Sequence, residues 1–299
     1  RGNTEAFMCA ASENKKLRIH SGTHFHAFYS EEGRMDQLRW FDHWLKGLDT
    51  GIMDEPPVKL EIRTGGGQGR YDFRFENEWP IARTKWTKMY LEIEPSNAID
   101  GRLAATPPRS SNKITYAAGG GSVAVHGHGG AGKSGASFET TPMERDTEIT
   151  GPLVLVLWVS STSEDMDIYA TLRNIGPDGK DVFEIGSQGQ PVPLTKGWLR
   201  ASQRKLDAAR SLPYRPYHAH DERRWLKPGE PVECQVEIWP TSIVLQKGHR
   251  LRLDIQPCDG IGSAPYTHYQ ADYNLGAENT IHTGGDRRSY LLLPVIPPK

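Results

Sequence analysis

Three histidines stand close together in the run Leu17-Arg18-Ile19-His20-Ser21-Gly22-Thr23-His24-Phe25-His26. An unperturbed imidazole titrates near neutral pH, so it can take a proton from a hydroxyl nucleophile and pass it to a leaving group. His24 is the first candidate for that chemistry, because it ends a polar loop that follows a short apolar strand. His20 falls within the strand, where packing is the simpler account, and His26 lies two residues past the loop position. Such a histidine needs a serine within hydrogen-bond reach and an acid to orient it. No Gly-x-Ser-x-Gly occurs in the chain. The nearest runs, Gly120-Gly121-Ser122-Val123-Ala124 and Gly132-Lys133-Ser134-Gly135-Ala136, lie downstream of His24 without a strand-to-helix turn, and neither is taken as a nucleophile.

Other constellations carry weaker chemistry. Gly127-His128-Gly129-Gly130-Ala131-Gly132-Lys133-Ser134 satisfies the phosphate-loop pattern in full. That pattern needs a buried strand before it and a helix after it, whose N-terminal N–H groups hold phosphate. The following residues, Gly135 to Pro142, have β-branched members, a proline and no helical period, so a glycine-rich loop is the better account. His126 with His128, and His218 with His220, could each place two imidazoles on one strand face. Neither pair has a third ligand at an obvious spacing, so no metal is expected. Glu164, Asp165 and Asp167 lack the glycine and spacing of a calcium loop and read as the solvated start of a strand. Trp198, Tyr214, Tyr217 and Trp225 could stack on a sugar or peptide, although aromatics of a β-rich protein more often serve packing.

The elements that must position these residues divide the chain in two. Thr4 to Ala11 is a short helix with Glu5 in its first turn. Lys16 to His20 is a strand. Asp36 to Gly47 is an amphipathic helix, with Leu38, Phe41, Leu45 and Leu48 at spacings of three and four forming one apolar face and Gly47 as its stop. Strand, histidine loop and helix follow one another as at the end of an α/β-hydrolase, where the triad runs Ser, Asp or Glu, then His. Only 23 residues precede His24, too few for a nucleophile elbow and an acid loop, so the expectation is the back part of a larger enzyme. The boundary is placed at Pro56-Pro57.

Beyond it the period changes to two. Val58 to Arg63, Val232 to Ile238 and Arg250 to Ile255 alternate, each with one face in a core. Leu153 to Val159 is apolar throughout and should be buried on both faces. Further strands are expected at Tyr71–Phe75, Thr87–Ile93, Asp167–Arg173, Val182–Ile185 and Ser289–Leu293. Turns are expected at Pro177-Asp178-Gly179, Lys227-Pro228-Gly229 and Lys247-Gly248. Ala105 to Ser137 reads as a long surface loop with one or two short strands. This pattern predicts a mainly β protein, an antiparallel sandwich of jelly-roll type.

Composition narrows the partners. Lys and Arg total 36 against 37 Asp and Glu, which gives no electrostatic case for nucleic acid or an anionic membrane. The run Leu153–Val159 is far short of the about 20 residues that a spanning helix needs. No secretory signal is visible in a chain that starts at Arg1 rather than Met, and the odd, sparse set Cys9, Cys234 and Cys258 fits a reducing compartment, with one disulfide left open, hence a cytoplasmic expectation. The 31 glycines and 21 prolines suit a turn-rich β protein.

The chain resembles the C-terminal half of X-Pro dipeptidyl-peptidases and the related cocaine-esterase-like and α-amino-acid ester hydrolases. The resemblance is carried by Gly22-Thr23-His24, the run from Gln37 through Asp42-His43-Trp44-Leu45-Lys46-Gly47, and Pro57-Val58-Lys59. It continues through Glu148 to Pro152, Leu157 to Ser161, Asp165 to Leu172, Leu226 to Glu230, Lys247 to Leu253 and Leu292 to Ile296. It implies a serine hydrolase acting on peptide, amide or ester bonds, with His24 in the place of the triad histidine and no cofactor. It implies that residues 1–56 are the last α-β-α piece of an α/β-hydrolase domain and residues 57–299 a jelly-roll, galactose-binding-like β-sandwich. The nucleophile and the acid have no matching positions, so this chain is expected to be inactive without the missing N-terminal hydrolase half. The alternative is a stand-alone β-sandwich binding or assembly module, and homo-oligomerisation stays open. The helix from Asp36 discriminates: a closed core around it favours the module, an exposed apolar face a missing partner domain.

Overall fold

The computed structural model describes residues 1–64, 71–94, 99–118, 135–259 and 274–298. The Gly127–Ser134 run, Ser122, and the pair His126 and His128 lie outside the described residues. The amino-terminal part holds α1 (Gly2–Cys9), β1 (Leu17–Ile19), the single turn α2 (His26–Tyr29) and α3 (Glu31–Lys46). Apart from a 3-10 turn at Ala201–Gln203, the regular elements that follow are strands: β2 (Val58–Arg63), β3 (Tyr71–Glu76), β4 (Lys85–Ile93), β5 (Gly101–Ala104), β6 (Asn112–Ala118), β7 (Ala136–Glu139), β8 (Thr147–Ser161) and β9 (Asp167–Ile175). Then come β10 (Asp181–Val182), β11 (Glu184–Ile185), β12 (Pro191–Val192), β13 (Thr195–Arg200), β14 (Val232–Leu245), β15 (Arg250–Gln256), β16 (Ala277–Thr283) and β17 (Tyr290–Ile296). The mainly β expectation holds.

β8 is the spine. It pairs antiparallel with β14 along one edge and with β17 and β16 along the other. Its alternate residues Leu153, Leu155, Leu157 and Val159 enter the main core, while Val154 and Val156 pack on the opposite face with Leu292, Trp86 and Tyr214. Burial on both faces, expected from the unbroken apolar run, is therefore met by two separate clusters. From β14 the pairings pass through β13, β9, β15, β7, β5, β4 and β17 back to β8, so the sheet returns on itself around one interior. Most neighbours are antiparallel; β1 with β2, β2 with β14, and β5 with β7 are parallel.

Two narrow corners close this circuit, and each is built on a glycine. Gly197 of β13 meets Ile238 of β14 in a single register pair, and a Cβ there would lie 2.2 Å from the Glu237 carbonyl oxygen. Gly101 of β5 meets Phe138 of β7, and a Cβ would lie 2.2 Å from the Glu92 oxygen and 2.9 Å from the Phe138 ring. Only a residue without a side chain lets the backbones approach this closely. A register shift between Ile238 and Thr241 in β14 lets Cys234, Val236 and Ile238, and then Ile243 and Leu245, all reach the same core.

The structure departs from the sequence expectation in definite places. Val182–Ile185 is two strands: Asp181–Val182 extends the β9 hairpin, and Glu184–Ile185 pairs with β12. The Ala105–Ser137 stretch holds β6, a short strand of the kind expected there, but its Tyr116 is buried in the main core rather than lying on the surface. α3 begins at Glu31 rather than Asp36. Ser30 caps it by accepting the Gly33 N–H at 3.1 Å. Gly33 reads as a helix breaker, yet a Cβ at that position would lie 1.9 Å from the Ala27 carbonyl, so its absence is what lets α2 and α3 meet. The helix ends at Gly47, in the left-handed region at φ 68°.

The faces of α3 decide between the two alternatives that the sequence leaves open. Leu38, Phe41, Leu45 and Leu48 do not pack into a core; all four are exposed, Leu45 by 78%. The helix meets the body through Glu32, Asp36 and Arg39. Asp36 pairs with Arg18 and Lys59, Glu32 with Lys59 at 2.6 Å, and Arg39 with Glu55 at 2.7 Å. At about 100° per residue these charged positions fall opposite the apolar stripe. Phe25, Phe28, Tyr29 and Met35 extend the exposed apolar surface back to the histidine loop.

Candidate active-site loop

β1 delivers the chain into this loop and α2 receives it. Leu17 pairs in register with Val58 and Ile19 with Leu60, and Leu17 joins a small core with Val58, Leu60, Ile62, Trp79, Ile81 and Ile296. After β1 the chain turns at Gly22, φ 82°. The Thr23 carbonyl accepts the His26 N–H at 3.2 Å, which starts α2.

Two contacts from the β-rich body hold the loop. Glu61 of β2, buried, accepts both the Ser21 N–H at 2.8 Å and the Ser21 hydroxyl at 2.6 Å on one carboxylate oxygen. The His24 N–H donates to the Ser187 carbonyl at 2.8 Å, in the turn between β11 and β12. The His24 ring is exposed and meets Phe25 edge to face at 5.3 Å. An exposed imidazole on a fixed backbone is open to a group brought against it. His20 is exposed too, with Nδ1 3.3 Å from the Ser21 carbonyl, so it does not serve packing as expected. His26 lies at the mouth of a cavity of about 890 Å³ lined also by Arg18, Glu61, Phe73 and Ile185. Glu61 also borders a second cavity of about 440 Å³, with His20, Lys196, Trp198 and Trp239 on its walls.

Lys196 is a largely buried cation on the wall of the second cavity. Burial holds its ammonium below its ordinary value, although the Asp259 carboxylate is 3.2 Å away and favours the charge. The four aromatics do not form one platform. Trp198 pairs with Trp239 at 5.1 Å, Tyr214 stacks on Trp86 at 4.6 Å, Tyr217 lies under Arg210, and Trp225 under Arg223. The acidic cluster is not a solvated strand start: Asp165 and Asp167 are buried. Asp165 accepts the N–H groups of Met166 and Ser202, each at 2.9 Å, and Asp167 holds Arg200 through two nitrogens. Only Glu164 is exposed. His218 and His220 stand 6.1 Å apart, ring to ring, and among the described residues no group of three or more His, Cys, Asp and Glu gathers around a point. The three cysteines are free thiols. No helix among the described residues is long and apolar enough to cross a membrane.

Sequence reasoning missed Glu61 and Ser187. In Val58-Lys59-Leu60-Glu61-Ile62-Arg63 the alternation marks Glu61 as a water-facing position. Its burial comes from the histidine loop laid over it, a contact that no local pattern records.

Residues 50–292 match the X-Pro dipeptidyl-peptidase C-terminal non-catalytic domain, and the chain belongs to that family. Its relatives are named as hydrolases. The cocaine esterase of Rhodococcus sp. (strain MB1 Bresler) is 23% identical over 294 residues, covering 86% of this chain and 45% of that protein. A Mycobacterium bovis protein that carries the name of a serine esterase is 27% identical over 286 residues, covering 87% of this chain and 41% of its own length. A CocE/NonD family hydrolase from Staphylococcus aureus superposes with a TM-score of 0.86 at 26% identity, over 98% of this chain and 50% of that one. The chain thus spans about half the length of the relatives it matches.

Proposed function

We propose that this chain is the C-terminal portion of a serine hydrolase that cleaves peptide, amide or ester bonds, with His24 as the histidine of a Ser-His-Asp triad. In this reading residues 1–56 complete an α/β-hydrolase domain and residues 57–299 form a jelly-roll sandwich that walls the active site. A serine from the preceding half attacks the substrate carbonyl while His24 takes its proton. His24 then protonates the leaving amine or alkoxide, and an aspartate from the same half orients the ring. The oxyanion hole also belongs to that half. The chain by itself turns over no substrate.

The observation that carries this reading is the inverted α3. A helix whose charged face is tied to the body and whose apolar face stands in water leaves a large patch without a partner. That patch begins at Phe25, next to His24. A missing hydrolase half accounts for both facts; a stand-alone module would bury the stripe. Family membership and the half-length match to named hydrolases point the same way.

A fluorophosphonate probe, which labels activated serines, tests the reading. The 299-residue chain should stay unlabelled. A protein carrying the hydrolase half in front of it should be labelled once, and His24→Ala should lower its turnover by a factor on the order of 10⁴ or more. Stoichiometric labelling of the 299-residue chain overturns the proposal.

A further inference from the structure

The loop that carries His24 is held by the part of the chain whose family is described as non-catalytic. Glu61 lies on β2, inside the matched segment, and grips Ser21 by both its N–H and its hydroxyl. Two donors on one acceptor oxygen fix the Ser21 backbone and its χ1 together. Gly22 then turns the chain through a left-handed conformation, and the Ser187 carbonyl takes the His24 N–H at 2.8 Å. Between these two anchors only Gly22 and Thr23 intervene. The backbone at His24 is therefore set from the β-rich side, and only the torsions of its own side chain stay free. Glu61 is buried, and no salt bridge to it is found among the described residues, so its hydrogen-bonding capacity is directed at this loop.

Resting on the reading of His24 above, we propose that Glu61 is a positioning residue for that histidine, acting through Ser21. The β-rich domain then does more than wall the site: it sets where the proton shuttle stands.

The test starts on the 299-residue chain, with Glu61→Leu, Glu61→Gln and Ser21→Ala. Amide hydrogen exchange at Ser21 and His24 and the imidazole carbon–proton signals of His24 are read by NMR. Glu61→Leu should speed exchange at both amides by about tenfold or more and shift or broaden the His24 signals, with β8 amides unchanged. Glu61→Gln keeps an acceptor oxygen in place and should restore both readouts. Ser21→Ala, which removes only the hydroxyl bond, should give a smaller change in the same direction and carries the test if Glu61→Leu misfolds. Unchanged His24 signals and exchange in both Glu61→Leu and Ser21→Ala overturn the proposal, as does equal acceleration in β8. In the hydrolase that contains this chain, Glu61→Leu should lower kcat with little change in KM. If His24→Ala abolishes turnover there and Glu61→Leu leaves kcat unchanged, positioning fails alone. If His24→Ala leaves turnover intact, the catalytic reading fails.

Discussion

The Nζ of Lys59 lies 3.1 Å from Oδ2 of Asp36, and that contact fixes which side of α3 meets the sheet. Arg18 reaches the same carboxylate from β1, so one acidic side chain is held by two adjacent strands. The helix is docked by charge, and its apolar stripe is left for something else.

Opposite faces of α3 should therefore answer substitution in opposite ways. Asp36→Ala removes the shared partner of two cations that are each about one-fifth exposed or less, and should cost about 1–2 kcal/mol. Leu45→Glu, on the stripe, should change stability by less than about 0.5 kcal/mol and reduce binding of a hydrophobic dye. Urea unfolding and dye fluorescence of the two variants check this. A Leu45→Glu chain as damaged as Asp36→Ala would mean that the stripe is packed.

At the corner between β13 and β14, Gly197→Ala should destabilise the fold by about 2–3 kcal/mol, because the new methyl meets backbone rather than a side chain that can move. The same exchange at Gly179, where nothing lies within 4 Å of a Cβ, faces only the cost of its φ of 79°. The midpoint of urea unfolding should fall further for Gly197→Ala than for Gly179→Ala.

Stability should decline as pH falls below 6.5. Burial, reinforced by His220, holds His218 below its ordinary value of 6.5; burial, with Arg287 and Lys113 adding to it, does the same for His282. A group with a depressed folded pKa binds its proton more readily when unfolded. The unfolded chain thus gains protons first as pH drops from 6.5 toward the lowered folded values, and stability is lost across that window. Thermal unfolding from pH 7.5 to 5 should show a falling Tm, and His218→Gln should flatten the slope.

The thiols should react in order of access. Cys9 is exposed, Cys258 is partly covered and pushed up by burial, and Cys234 is buried with its thiol pushed up to about 12. A thiolate-specific reagent at pH 8 should modify Cys9 first and Cys234 only on unfolding. Modification of Cys234 at the Cys9 rate in the native chain would contradict the packing between β8 and β14.

Much of the architecture was legible because it is local. Val58–Arg63 alternates and is a strand over those same residues, and Gly179, Gly229 and Gly248 each take the positive φ their turns require. β5, β13 and β16 were not legible. Gly101-Arg102-Leu103-Ala104 and Ala277-Glu278-Asn279-Thr280 have little strand propensity of their own and become strands because β4 and β6 supply their hydrogen bonds. Asp165 and Asp167 were misread for a related reason. A carboxylate looks solvated in sequence, and only the arrival of Arg200 at the end of β13 and Ser202 in the turn after it lets it be buried.

By itself the sequence determined the periods, the turns, the place of the strand, loop and helix around His24, and a helix with one apolar and one charged side. It could not determine which side of that helix faces inward. Periodicity records that two faces differ, whereas orientation depends on what stands opposite, and Arg18 and Lys59 stand opposite only once β1 has paired with β2. The same holds for the histidine loop. Its residues are local, but Glu61 reaches it from β2 and the Ser187 carbonyl from the turn of the β11–β12 hairpin, and those long-range contacts are what tertiary structure alone decided.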